Sequence, residues 1–308
     1  MRSPGLPRRR LAALGGVVVV ATLLVGCAAE VDPAVTRDAL QEVTAEPAPT
    51  EVTDAYDSEA FPEPIVEPLE CSPYLVITAR GTGEPPKKQL LAPVARAIAQ
   101  ARPDDVERID LDYPADTEIN AGGTLGARTL VDTLNVQAEA CPDQGTILLG
   151  YSQGALVIGD ALAEADTRLV GAKVGKITDE AAERIVAVVM YGNPRFVGVD
   201  PAGYGNFDPA LNGLLPRPPG SFARFDDRMR DFCVADDFIC QSTLALEESG
   251  HVAYYENGMQ NDGAAFVISL LDPPADTADA TDRAEDQDQD RDRDQGQSEA
   301  QAQESDGA

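Results

Sequence analysis

The 308-residue chain has no tryptophan and a single histidine, and its 24 lysines and arginines are outnumbered by 53 aspartates and glutamates. A net charge of −29 would repel a phosphate backbone and leaves no basic stripe, which excludes nucleic-acid binding as the main activity and makes an acidic polymer a poor substrate. One histidine is too few for the paired Cys/His motifs of zinc sites, so no metal and no organic cofactor is expected. Long apolar runs are scarce as well. The run from Leu11 to Gly26 has 16 residues, short of the roughly 20 that a membrane-spanning helix needs.

What is present divides by composition. The apolar run follows Arg8-Arg9-Arg10, so residues 1–26 read as an export signal. It ends in Leu24-Val25-Gly26-Cys27, which resembles the bacterial lipobox, whose cysteine is lipidated and becomes the mature N-terminus; an ordinary signal with an incidental cysteine is the plainer alternative. Setting Cys27 aside leaves Cys71, Cys141, Cys233 and Cys240, an even set that suits an exported, oxidising setting and allows three pairings. Residues 27–70 mix acids and prolines with no sustained apolar period, and a disordered tether is expected there. Residues 273–308 hold 12 acids against three arginines and read as a disordered acidic tail. The aspartates from Asp288 to Asp294 do not make an EF-hand, because Gln295 and Gln301 stand where the loop wants glycine and glutamate.

The block 71–272 alternates strand and helix. Tyr74 to Ala79, Thr146 to Leu149 and Ile185 to Met190 are short apolar runs and Val106 to Leu111 reads as a further strand, while Leu90 to Ala101, Gly126 to Ala140 and Ala155 to Ala165 carry helical spacing. Strands apolar on both faces predict an α/β fold: a central, mostly parallel sheet of about five strands covered by helices on each side. Gly198 to Pro219, rich in Gly, Pro and Asn, reads as a long surface loop.

The chemistry gathers at Gly150-Tyr151-Ser152-Gln153-Gly154, between the third strand and its helix, where a G-x-S-x-G elbow projects a serine hydroxyl from the carboxyl edge of a sheet. A serine nucleophile needs a base, and His251 is the one available, 99 positions later. The acid orienting its imidazole lies between them in chain order, and Asp231, Asp236 and Asp237 are candidates. Leu244, Leu246 and Val252 would line an acyl groove or belong to the core.

These residues, together with the spacing of Cys233, Asp237, Cys240 and His251, resemble the cutinase family, in particular the actinobacterial cutinase-like esterases. Ala79-Arg80-Gly81-Thr82, Tyr113-Pro114-Ala115 and Gly192-Asn193-Pro194 extend the resemblance over nearly all of 71–272, although Asp236 stands where the family usually has glycine. The resemblance implies a three-layer α/β-hydrolase, a triad of Ser152, Asp237 and His251, and an oxyanion hole at Thr82 and Gln153. It also implies the disulfides Cys71–Cys141 and Cys233–Cys240. The implied activity is hydrolysis of short- to medium-chain acyl esters, lipids or polyesters such as cutin by a monomeric enzyme. That enzyme would be anchored on the outer membrane face through Cys27 or secreted. A non-catalytic envelope-binding protein on the same fold is the alternative.

Overall fold

A computed structural model describes residues 32–45, 50–242 and 249–273. The export signal, Cys27, the acidic tail beyond Pro273, and Leu244 and Leu246 lie outside the described residues. Six strands form one sheet: β1 (Tyr74–Ala79), β2 (Val106–Asp110), β3 (Gly145–Tyr151), β4 (Ile185–Tyr191), β5 (Gly203–Tyr204) and β6 (Met229–Phe232). Their order is β2-β1-β3-β4-β6-β5, and every neighbouring pair is parallel. The sheet therefore has one strand more than the five expected. The extra pairing is β5, two residues inside the stretch read as a surface loop, which adds to β6 through Gly203 and Tyr204.

Alternation along the strands explains why both faces are dry. Leu75, Ile77, Leu148, Val188 and Met190 point into one apolar cluster, while Tyr74, Val76, Ile147, Leu149 and Val189 point into the other. The first face is covered by α4 (Ile119–Ala140) and α5 (Gln153–Leu162), which pack on each other, and by the short α6 (Asp179–Arg184) against α4. The second is covered by α3 (Leu91–Ala101) and α8 (Met259–Leu270). Edge strand β2 is only half-buried, as an edge position allows. Helix α4 begins seven residues before the expected Gly126, because Gly122 and Gly123 weaken the propensity signal. Tertiary packing reverses that penalty: a Cβ on Gly123 would stand 3.0 Å from Val170 Cγ1, so the glycine permits close approach.

Residues 32–45 and 50–70 depart from the expected tether. Helix α1 (Pro33–Ala45) buries Thr36, Ala39, Leu40 and Val43, an i, i+3, i+4, i+7 spacing that puts them on one face. Threonine and alanine make that face weakly apolar, which is why no period stood out. After α2 (Thr50–Ala55), the proline-rich stretch lies extended along α4. Arg128, 1% exposed, pairs through Nε with Asp132 Oδ2 at 2.6 Å, and its Nη2 donates to the carbonyls of Phe61 (3.1 Å) and Glu63 (2.7 Å). Asp132 Oδ2 also accepts from the Ile65 amide at 2.9 Å, and Gln137 Oε1 from the Leu69 amide at 3.0 Å. Side chains of α4 thus supply the partners that an extended strap cannot find within itself. Disulfide Cys71–Cys141 ties the end of the strap to the end of α4.

Candidate active site

All six strands open their carboxyl ends on one edge, where β3 passes into α5 through Ser152. The turn holds Ser152 at φ 53°, ψ −116°, a conformation rare for a residue with a side chain and costing about 1–3 kcal/mol. Room for the turn comes from its glycines: a Cβ on Gly154 would lie 1.9 Å from the Ala79 carbonyl oxygen. The Ser152 amide donates to the Tyr191 carbonyl at 2.9 Å, pinning the elbow to the neighbouring strand.

His251 sits on the short helix α7 (Ser249–Ala253). Its Nε2 is 2.9 Å from Ser152 Oγ and its Nδ1 is 3.0 Å from Asp237 Oδ1, with all three side chains at 0% exposure. A ring with one nitrogen on a hydroxyl and the other on a carboxylate has one tautomer left, with the proton on Nδ1 and the lone pair of Nε2 facing the serine.

Of the three candidate acids, Asp237 meets the histidine. Asp236 is exposed, and its backbone carbonyl accepts from the Gly250 amide at 2.9 Å, which turns its neighbour inward. Asp237 lies in the loop closed by the disulfide Cys233–Cys240. Its Oδ1 also accepts from the Ile239 amide at 2.9 Å and its Oδ2 from the Tyr254 hydroxyl at 2.7 Å. Burial and the adjacent Asp237 carboxylate push the Tyr254 hydroxyl well above the usual tyrosine range, so it stays a donor.

Asp231 serves elsewhere. Its Oδ2 accepts from Asn193 Nδ2 at 2.7 Å, and burial pushes its carboxyl from 3.8 up to about 7, against the opposing pull of Arg217. The folded state therefore binds this proton more tightly than the unfolded chain. The group favours folding below about pH 4, and that contribution is lost as pH rises to about 7. Asp231→Asn removes the dependence. In urea titrations the unfolding free energy of the variant minus that of the natural protein should rise from pH 4 to pH 7 and level off above. A constant difference would place the carboxylate in a wetter setting.

Thr82 and Gln153 meet beside the serine. Thr82 Oγ1 donates to Gln153 Oε1 at 3.1 Å, and Gln153 opens α5, where a first-turn amide has no intrahelical acceptor. Several residues here were not singled out in the sequence. Glu84 Oε2 accepts from the Gly81 amide at 2.6 Å, while Oε1 accepts from the Leu90 amide at 2.6 Å and the Tyr255 hydroxyl at 2.5 Å. One buried carboxylate thus joins the loop before Thr82 to the turn after α7. Burial pushes its own carboxyl up in spite of these donors. Tyr151 stacks on the His251 ring, centroids 5.2 Å apart, and donates to the His251 carbonyl at 2.8 Å. Tyr254 and Tyr255 follow the histidine by three and four positions, a spacing that returns to the same side of a helical turn and is the signal that would have found them. Val252 is half-buried. Among the described residues no group of three His, Cys, Asp or Glu side chains converges on a metal-sized site. No described helix is long and apolar enough to cross a membrane.

The arrangement can take a proton from a hydroxyl, hold the resulting imidazolium against a carboxylate, and offer N–H donors to an anion forming next to that hydroxyl. Known proteins share this framework. The family model for cutinase matches residues 70–271. A cutinase of Kineococcus radiotolerans is 31% identical over 203 residues, which cover 65% of this chain and 62% of that protein's length. A probable carboxylesterase, Culp3, of Mycobacterium tuberculosis is 29% identical over 211 residues, covering 65% of this chain and 70% of that one. The solved structure of a cutinase-like protein from Cryptococcus sp. superposes with a TM-score of 0.52 at 25% identity, covering 68% of this chain and 100% of that one. With the family model spanning the whole sheet and its edge, the chain belongs to the cutinase family of carboxylic ester hydrolases.

Proposed function

We propose that the protein hydrolyses carboxylic esters through an acyl-enzyme at Ser152, with His251 as base and then acid and Asp237 as its orienting carboxylate. The observation that carries this reading is the continuous line from Asp237 Oδ1 through the imidazole to Ser152 Oγ, 3.0 and 2.9 Å. Ser152 Oγ attacks the ester carbonyl carbon while its proton passes to His251 Nε2. The negative charge moves to the carbonyl oxygen, facing the backbone N–H groups of Thr82 and Gln153. Each such donor contributes about 3 kcal/mol to lowering the barrier. The tetrahedral intermediate collapses, the C–O bond to the alcohol breaks, and His251 returns the proton to the leaving oxygen. Water, deprotonated by the same nitrogen, then releases the acid and regenerates Ser152.

Short- to medium-chain acyl esters, lipids and cutin-like polyesters form the proposed substrate range. The two disulfides fit an exported protein. Anchoring through a lipidated Cys27, action as a monomer, and the export signal complete the proposal. A fluorophosphonate supplies the test, since it phosphonylates a serine whose proton a neighbouring base removes. Intact mass and peptide mapping should show one adduct, on Ser152, with loss of p-nitrophenyl ester turnover in step with labelling. A folded protein that takes up no label and turns over no ester across a chain-length series would leave an envelope-binding role in its place.

A further inference from the structure

Ser152, Gln153, Asp237 and His251 are all 0% exposed, and Thr82 is 5% exposed. A hydroxyl sealed from water is also sealed from an ester, so part of the molecule must move before any substrate meets it. Helix α1 is the element in the right place. It packs on α4 and on α7, the five-residue helix that carries His251. That contact sets α1 near the carboxyl edge of the sheet, beside the helix that carries His251. Its buried face is aliphatic at the centre: Ala39, Leu40 and Val43 join the apolar cluster that contains Ala115, Ile119 and Leu215. Leu40 is 0% exposed, whereas Val35 on another face of the helix is 48% exposed.

We propose that α1 fills the acyl-binding groove beside Ser152, and that the acyl chain of a lipid-like ester takes its place there. This rests on the ester-hydrolase reading above. The chemistry of the occupant follows from what it displaces. A groove closed by three aliphatic side chains is re-closed at little cost by a hydrocarbon chain, but not by a polar ligand, which would leave both α1 and the groove wet. Position in the chain adds a second argument. Pro33 follows Cys27 by six residues, so a lipid on that cysteine would hold α1 at the bilayer surface, where long acyl esters are found.

The test separates the cover from the catalysis. In full-length protein bearing Ser152→Cys, the rate of alkylation by a small maleimide reads access to position 152 without needing turnover. Leu40→Asp should raise that rate at least tenfold, while Val35→Asp leaves it unchanged. Thermal unfolding of each variant confirms that the domain remains folded. Equal rates in the parent and the Leu40→Asp protein would overturn the proposal. In the natural Ser152 background, Leu40→Asp should also raise kcat/KM for a soluble p-nitrophenyl ester. If Leu40→Asp exposes the thiol but the Ser152 protein hydrolyses nothing, the cover stands and the hydrolytic reading falls.

Discussion

His251→Ala should lower kcat for ester hydrolysis by a factor on the order of 10⁶, the scale on which serine-triad enzymes lose activity when the base is removed. The chain has no other imidazole, so no neighbour can take over the proton. Position 251 is fully buried against Asp237 and Ser152, and truncation leaves a ring-sized space lined by the groups that held the ring. Added imidazole should enter that space and recover part of the rate, a response that a misfolded variant would not give. Asp237→Asn should cost less, about 10⁴. The neutral amide cannot balance the imidazolium, and either amide orientation sets an NH₂ against a donor, the Ile239 amide or the Tyr254 hydroxyl. Steady-state rates with p-nitrophenyl esters would check both. Retention of more than a tenth of kcat in His251→Ala would mean that the proton leaves Ser152 by another route.

The proposed triad shows what a sequence can disclose about a site. Ser152 was legible because its elbow needs glycines at fixed offsets, and His251 because the chain offers one imidazole. Asp237 was not separable from Asp236 or Asp231 by composition. The resemblance selected it, and in the structure the difference is local: the Gly250 amide takes the Asp236 carbonyl, and the next carboxylate turns inward. The apolar strands β1, β3 and β4 were readable because both their faces are buried. Strand β6 was not, since Arg230 and Asp231 interrupt it, and the partners that make Asp231 tolerable there, Asn193 and Arg217, lie far away in sequence. Glu84 gave no pattern either, because two of its donors are nearby backbone amides, of Gly81 and Leu90, and the third, Tyr255, lies 171 positions away.

The acidic, proline-rich stretch before Cys71 makes the same point with a measurable consequence for stability. Its composition resembles that of a solvated linker, and an extended stretch cannot satisfy its backbone within itself. What holds it is Arg128, whose guanidinium is enclosed by Asp132 and by carbonyls of the strap. Arg128→Met keeps much of the volume but strands the Asp132 carboxylate, 10% exposed, and leaves those carbonyls without their donor. Removing one partner of a buried ion pair costs about 3–5 kcal/mol. The urea midpoint should fall accordingly, and residues 56–70 should become the first site of proteolysis, although Cys71–Cys141 keeps the far end attached. Adding Asp132→Leu to Arg128→Met should regain part of the loss, because an uncharged pair leaves no orphaned carboxylate. A loss below about 1 kcal/mol in the single variant would mean that the strap is not docked in solution. A full loss with no recovery in the double variant would place the energy in the carbonyl contacts rather than in the ion pair.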